Sequence, residues 1–296
     1  MNILINDLLK DFRATTKNHT PEKIEFIGVD GFDVYNPSIP FFYEGAYHLL
    51  GRIEKRTSEV SIIGLFKRIT KTSYGLIKDF EAYPLQDPFL TVIHGTYILG
   101  GTFVDWTTKT WFTRFYQGPS LDQLTLLVDA PIGMKDVRLI ELANGKIGVF
   151  TRPQGGLARF GVIGFTVVDE LKDLNREVMT KAPLLDLFEE AAWAGVNDCL
   201  LLEDGSIGVV GHVAIFDEER IRHYYAMSFT FDPEKRTYKD VKIIAERSQF
   251  LPGPLKRDDL QDVIFTAGLH FENPFWYIYV GASDAEVQRI VTTTPF

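Results

Sequence analysis

The sequence predicts an all-β protein, a five-bladed β-propeller with a short N-terminal helix. Three observations carry this. From Lys23 onward the chain is a succession of short runs rich in Val, Ile, Phe, Tyr and Thr, broken by Gly, Asn, Asp and Pro, which marks strands and turns. Five segments end alike: AYHLLGR (46–52), TYILGGT (96–102), KIGVFTR (146–152), SIGVVGH (206–212) and WYIYVGA (276–282). A polar residue leads into each, at Asn36, Asp87, Asp136, Asp198 and Asp262, with intervals of 51, 49, 62 and 64 residues. That is the length of one four-stranded blade.

The elements follow in order. In residues 2–13, Ile3, Leu4, Leu8, Leu9 and Phe12 share one helical face, so an amphipathic helix packs on the outside of the main fold. Residues 1–22 form this helix and a lead-in, and residues 23–296 form the propeller; no Pro-, Gly- or Ser-rich linker marks a further boundary. The run 23–29 pairs with the last blade, closing the ring and covering two sheet edges. The turns Glu44-Gly45, His94-Gly95, Asn144-Gly145 and Asp204-Gly205 have the chemistry of tight hairpins. A second helix is expected at 183–192, PLLDLFEEAA.

From each leading polar residue to the end of its hairpin is 14–20 residues. A two-stranded hairpin of that length returns to the level at which it began. Asn36, Asp87, Asp136, Asp198 and Asp262 therefore share one mouth of the channel with Arg52, Thr102, Arg152, His212 and Ala282. A single Asp at such a place caps a turn more often than it does chemistry. Four acids, two arginines and a histidine together mark a functional cluster.

Composition narrows the function. The chain has 296 residues, 45% of them hydrophobic, and a formal net charge of −9. It can build a core, and its acidity disfavours nucleic-acid binding. Cys199 is the only cysteine, so there is no intrachain disulfide and no multi-thiolate zinc site. The start MNILINDLLKDF lacks a basic leader, and no apolar run reaches membrane length; we expect a cytoplasmic protein with no membrane partner. No metal site is expected from the dispersed histidines, and carboxylates in the channel leave room for a single ion. The sequence is silent on oligomeric state.

The motifs resemble one family. Asn36-Pro37-Ser38 with Gly45-Ala46-Tyr47-His48-Leu49-Leu50-Gly51-Arg52 resembles the first blade of glycoside hydrolase family 130, the mannosyl-glycan phosphorylases and β-1,2-mannosidases. Gln86-Asp87-Pro88-Phe89 is similar to its Glu-Asp-Pro-Arg motif. Lys135-Asp136 with Thr151-Arg152-Pro153 resembles the third blade, Gly211-His212 the fourth, and Tyr279-Val280-Gly281-Ala282-Ser283-Asp284 the last. The resemblance spans about 28–290. The chain departs from the pattern at Phe89, where the family carries Arg, and at Gln86, where it carries Glu.

The resemblance implies a five-bladed propeller that cleaves glycosidic bonds of a mannoside or similar short glycan. It implies that Asp87 is the acid that protonates the glycosidic oxygen. It further implies that Lys135 and His212 hold phosphate or substrate, that Arg52 and Arg152 line the same cavity, and that Asp284 lies near the sugar. The residues themselves leave two routes open. A phosphate held by Lys135, Arg152 and His212, as co-substrate with no other cofactor, gives phosphorolysis. A water activated by Asp33, Asp198 or Glu190 gives hydrolysis. Asp136 and Asp198 flank Asp87 as further catalytic candidates, and Asn36 and Asp262 as binding ones. Sugars pack on aromatic faces; of Trp106, Trp111, Tyr116 and Trp193, Trp193 is the chosen platform. A sugar-binding propeller without catalysis and a protein-interaction scaffold are the alternatives.

Overall fold

The structure is a computed structural model describing residues 2–16 and 19–296. Met1, Lys17 and Asn18 of the anticipated lead-in lie outside the described residues. The strands pair into five consecutive antiparallel meanders. The first holds Asp33–Tyr35, Phe41–Tyr43, Ala46–Glu54, Ser61–Arg68 and Ser73–Leu76. The second holds Gln86–Ile93, Thr96–Asp105, Thr110–Gly118 and Thr125–Asp129. The third is shorter: Arg138–Glu141, Ile147–Thr151 and Gly164–Val168. The fourth runs Trp193–Leu201, Ile207–Phe216, Arg222–Asp232 and Thr237–Ala245. The fifth comprises Asp262–Glu272, Phe275–Ala282 and Glu286–Thr292.

The meanders form a ring, and the apolar side chains show why. Each of five buried clusters joins two neighbours: Leu50, Leu65 and Leu99 join the first to the second; Phe89, Phe115 and Val149 the second to the third; Phe150, Phe165 and Phe229 the third to the fourth. Val210, Ile264 and Ile278 join the fourth to the fifth, and Leu49, Phe66 and Tyr279 close the circle from first to fifth. Burying each such side chain contributes roughly 1.5–3 kcal/mol. This is the propeller architecture. The leading strands of the second to fifth meanders touch in succession, and the first meander joins them through Ala46–Glu54 against Gln86–Ile93 and Asp33–Tyr35 against Phe275–Ala282 and Glu286–Thr292.

Closure uses the segment anticipated for it. Glu22–Ile27 pairs antiparallel with Glu286–Thr292 of the fifth meander and parallel with Ser73–Leu76 of the first. The N-terminal helix spans Ile5–Thr15 and buries Ile5, Leu9 and Phe12 against the third and fourth meanders. The helix expected at 183–192 is not there. Its backbone groups bond elsewhere: Leu185 N–H donates to Ile163, and Leu187 and Glu189 bracket Ile3. The only α-helix described between the third and fourth meanders is the short Arg176–Thr180.

Candidate functional site

The leading strand of every meander kinks at one level. Gln86 pairs with Thr102 and Phe89 with Gly100, so Asp87 and Pro88 together face Gly101. Tyr35 pairs with Arg52, and Ser38 N–H donates to the Leu50 carbonyl at 2.9 Å, so Asn36 and Pro37 face Gly51. In the third meander Asp136 and Val137 precede Arg138, which pairs with Phe150. Such bulges re-aim a side chain and recur beside active sites. Asn36, Asp87 and Asp136 take φ of 43°, 51° and 57°, left-handed values that Asn and Asp tolerate better than other side chains.

The fourth and fifth meanders correct the sequence register. There the bulges are Val196-Asn197 and Thr266-Ala267. Asp198 therefore sits two residues deeper than the kink, at the level of Phe89 and Arg138. Asp262 lies four residues before Thr266 and outside the ring, with its carboxylate 2.5 Å from Nδ1 of His223. The partner positions on the second strands are Arg52, Thr102, Arg152, His212 and Gly281 rather than Ala282. Of the two other acids considered for activating water, Asp33 pairs with Arg56, and Glu190 is exposed and pairs with Arg159.

Around the kink the side chains form two buried groups. In the first, Asp87 Oδ1 accepts from Asn36 Nδ2 at 2.8 Å and from Arg52 Nη1 at 3.2 Å. Asn36 Nδ2 also reaches Asp284 Oδ1 at 3.3 Å. Arg52 is braced by Glu54 at 2.7 Å and Ser61 at 3.0 Å. Glu54 in turn accepts from Tyr35 at 2.8 Å and is paired with the Lys256 ammonium. Burial raises the Asp284 pKa; Arg52 works against the rise and Asp87 adds to it. Gly281 leaves room for this group, since a Cβ there would lie 1.9 Å from Asn36 Oδ1.

In the second group, Arg152 Nη1 donates to Asp136 Oδ2 at 3.1 Å and its Nε to the Ala194 carbonyl at 3.0 Å. Burial alone would raise the Asp136 pKa, but Arg152, Lys135, His212 and Arg138 outweigh it and hold the carboxyl at about 2. His212 Nε2 is 4.0 Å from the same carboxylate, and its Nδ1 is 2.8 Å from Asn197 Oδ1. Burial pushes this imidazole down to about 3, helped by Arg152, Lys135 and Arg138 against the pull of Asp136. It is neutral near pH 7 and offers hydrogen bonds rather than charge. Lys135 is half-buried beside Asp136, and among the described residues it has no carboxylate within salt-bridge distance, Asp136 being paired with Arg152.

One level deeper, Arg138 donates to the Asn197 carbonyl at 2.9 Å and lies over the Phe89 ring at 4.3 Å. Asp198 accepts from the backbone N–H groups of Cys199 and Leu269 at 2.9 and 3.2 Å, and burial pushes its carboxyl up to about 7. Asn36 Oδ1, Thr151 Oγ1, Asn197 Nδ2 and Thr266 Oγ1 are buried without a hydrogen-bond partner among the described residues. All four belong to the bulges or to the residues facing them. Unmet buried polar groups cost about 1–3 kcal/mol each; six further such atoms lie elsewhere among the described residues.

The structure thus brings Asn36, Arg52, Asp87, Lys135, Asp136, Arg152, His212 and Asp284 to one level. Trp193 is not an open platform. It is 5% exposed, donates from Nε1 to Tyr224 at 2.9 Å, and packs on Phe160 and Phe216. Sequence reasoning missed Tyr35, Glu54, Arg138, Asn197, Lys256 and Thr266. Glu54 was within reach, lying two residues beyond Arg52 on the same strand face. Among the described residues no group of three or more His, Cys, Asp or Glu is placed to hold a metal, and no helix is long and apolar enough to cross a membrane.

The family described as "protein of unknown function (DUF1861)" matches residues 10–296. Among curated proteins none matches. Solved structures do. A mannose phosphorylase from Leishmania mexicana, determined in complex with phosphate ion, is 35% identical, with 99% of this chain and 93% of that one covered and a TM-score of 0.92. A GDP-Man-dependent mannosyltransferase from the same organism is 34% identical over 99% and 94% of the two chains, with a TM-score of 0.90. The β-1,2-mannobiose phosphorylase of Listeria innocua is 15% identical over 89% and 91%, with a TM-score of 0.66, and shares the fold. The fold is shared with a family 130 mannoside hydrolase structure at 14% identity and a TM-score of 0.67, and the chain belongs to the DUF1861 family.

Proposed function

We propose that this protein is a carbohydrate-active enzyme that breaks a mannosidic bond by phosphorolysis. The reading rests above all on the two groups at the kink: Asp87 with Asn36, Arg52 and Asp284, and Asp136 with Arg152 and His212, beside Lys135, which has no salt-bridge partner among the described residues. Asp87 donates a proton to the glycosidic oxygen as the bond from the sugar C1 to that oxygen breaks. A phosphate oxygen forms the new bond to C1, giving a sugar 1-phosphate and a free hydroxyl on the leaving sugar. Lys135 supplies the charge that draws the phosphate, Arg152 is oriented by Asp136, and neutral His212 contributes a hydrogen bond. Asp284 and Asn36 hold sugar hydroxyls and steer the Asp87 carboxyl. The phosphate-bound relative at 35% identity supports the choice of phosphate.

The 34%-identical mannosyltransferase supports a second reading, transfer of mannose from a sugar nucleotide. One experiment separates the routes. Manno-oligosaccharides are incubated with the protein in the presence and absence of phosphate, and alongside GDP-mannose without phosphate. Phosphorolysis yields mannose 1-phosphate only in the first mixture. Phosphate-independent release of mannose means hydrolysis, chain extension from GDP-mannose means transfer, and binding without turnover means a lectin-like propeller; each of these overturns the proposal.

A further inference from the structure

Below the kink lies a small cavity that the reaction above does not use. Ser38 from the first meander, Phe89 from the second, Arg138 from the third, Asn197 and Asp198 from the fourth and Ala267 from the fifth all line it. Every meander contributes, so the cavity sits on the axis of the ring. It measures about 40 Å³. That is room for a few waters or one halide, and far below the roughly 300 Å³ at which clefts for organic ligands begin.

Its wall carries a cation without an ionic partner. Arg138 is 4% exposed, and the acids of the kink are taken elsewhere: Asp87 by Arg52, Asp136 by Arg152. Its Nε and Nη1 donate to the carbonyls of Asn197 and Val137 at 2.9 and 3.1 Å, and among the described residues its Nη2 donates to nothing. Asn197 brings a second unused donor, since its Nδ2 is buried without a partner. A buried cation with no counter-charge is among the costliest arrangements in a protein interior. Asp198 does not fill that role. It makes no salt bridge with Arg138 among the described residues, and its Oδ1 and Oδ2 accept from the backbone N–H groups of Cys199 and Leu269. Its carboxyl titrates at about 7, so near neutrality it holds a proton half of the time. A cation is disfavoured here, because Arg138 repels it and only one carboxylate is at hand.

We propose that this cavity binds a single halide ion, chloride in ordinary buffers, as the counter-charge of Arg138. The site is separate from the phosphate and the glycan of the proposed reaction and stands whether or not that reading does. The ionisable groups facing Asp198 are Arg138, which favours its charged form, and the neutral thiol of Cys199. A halide beside them repels the ionised carboxylate and draws a proton onto it. Affinity for the halide therefore rises as pH falls through about 7.

Two measurements test this. Crystals of the wild type soaked in sodium bromide and measured at the bromine absorption edge should show one anomalous peak on the ring axis, within hydrogen-bond reach of Arg138. A cavity filled by water alone, with no bromide peak, overturns the proposal. In solution, thermal unfolding is followed while chloride replaces gluconate at fixed ionic strength. The wild-type midpoint should rise by roughly 2–4 °C for each tenfold rise in chloride above half-saturation, and the rise should set in at lower chloride below neutral pH than above it. Arg138→Met removes the charge and keeps an apolar stem; it should lose the chloride response. Asp198→Asn should keep the response and lose its pH dependence. Equal responses in wild type and Arg138→Met would be a general salt effect and overturn the site. Should Arg138→Met fail to fold, the bromide map of the wild type decides.

Discussion

Asp87→Asn asks whether Asp87 is the proton donor. The substitution keeps the shape of the group. Asp87 Oδ1 accepts from both Asn36 Nδ2 and Arg52 Nη1, and an amide oxygen can accept from the same two donors. Arg52 loses one ionic partner and keeps Glu54 at 2.7 Å, so no buried cation is stranded. Weakening one charge-assisted hydrogen bond costs about 1–3 kcal/mol of stability. The rate is another matter. Without a proton donor, phosphorolysis of a mannobiose should fall about 10²–10⁴-fold, which is roughly 3–5.5 kcal/mol of barrier. The assay compares mannobiose with a nitrophenyl mannoside, whose leaving group needs little protonation, and follows mannose 1-phosphate from the first and nitrophenolate from the second. On the nitrophenyl substrate the variant should stay within about tenfold of wild type. Equal losses on both substrates would mean that Asp87 holds the site together rather than donating a proton. An unchanged rate on mannobiose would remove it from the chemistry altogether.

Three further outcomes follow from the same geometry. Asp136→Ala leaves the buried Arg152 guanidinium with only the Ala194 carbonyl; urea unfolding should show a loss of about 3–5 kcal/mol, much of it recovered when Arg152→Met is added. Gly281→Ala sets a methyl 1.9 Å from Asn36 Oδ1; it should lower the thermal midpoint and phosphorolysis together, whereas Gly31→Ala, at a turn with open space, should affect stability alone. His212 has a folded pKa of about 3, below the usual unfolded value near 6.5. The folded state holds fewer protons between those values, so its stability falls as pH drops from about 6.5 toward 3, by up to about 1.4 kcal/mol per pH unit. His212→Gln should flatten that slope in unfolding curves measured at successive pH values, and an unchanged slope would contradict the buried neutral imidazole.

The repeat is legible in the sequence because a polar residue, an apolar run and a Gly-containing turn recur together. In the first three meanders the site is legible too. There the bulge residue is an Asn or Asp, the side chains that best tolerate left-handed backbone, so the chemistry and the backbone requirement coincide at Asn36, Asp87 and Asp136. In the last two meanders they separate. The bulges fall on Val196-Asn197 and Thr266-Ala267, which carry no acid, and the eye moves to Asp198 and Asp262. A bulge adds one residue to one strand only, so strand lengths count correctly while the register slips. The apolar run at 183–192 reads as a helix because Leu185, Leu187 and Phe188 all enter one core cluster, while its backbone bonds to Ile163 and Ile3 instead of to itself. Lys256 was out of reach, since its pairing with Glu54 joins residues 202 apart.

Ring closure by Glu22–Ile27 bears on how this protein is made. The bond between Asn36 and Asp284 spans 248 residues, and the strand that completes the ring must find Glu286–Thr292 on one side and Ser73–Leu76 on the other. Contacts this distant in the chain form late, because the entropy of bringing their ends together has to be met before they return any energy. On the ribosome the first four meanders can condense in turn against their neighbours while the emerging chain still lacks Gly281 and Asp284. Asn36 then has neither the glycine that makes room for it nor the second carboxylate that holds it. The bonds of Asp87 with Asn36 and Arg52 and of Asp136 with Arg152 lie within the first four meanders, so the last one adds only Asp284 and Gly281 to a polar centre already assembled.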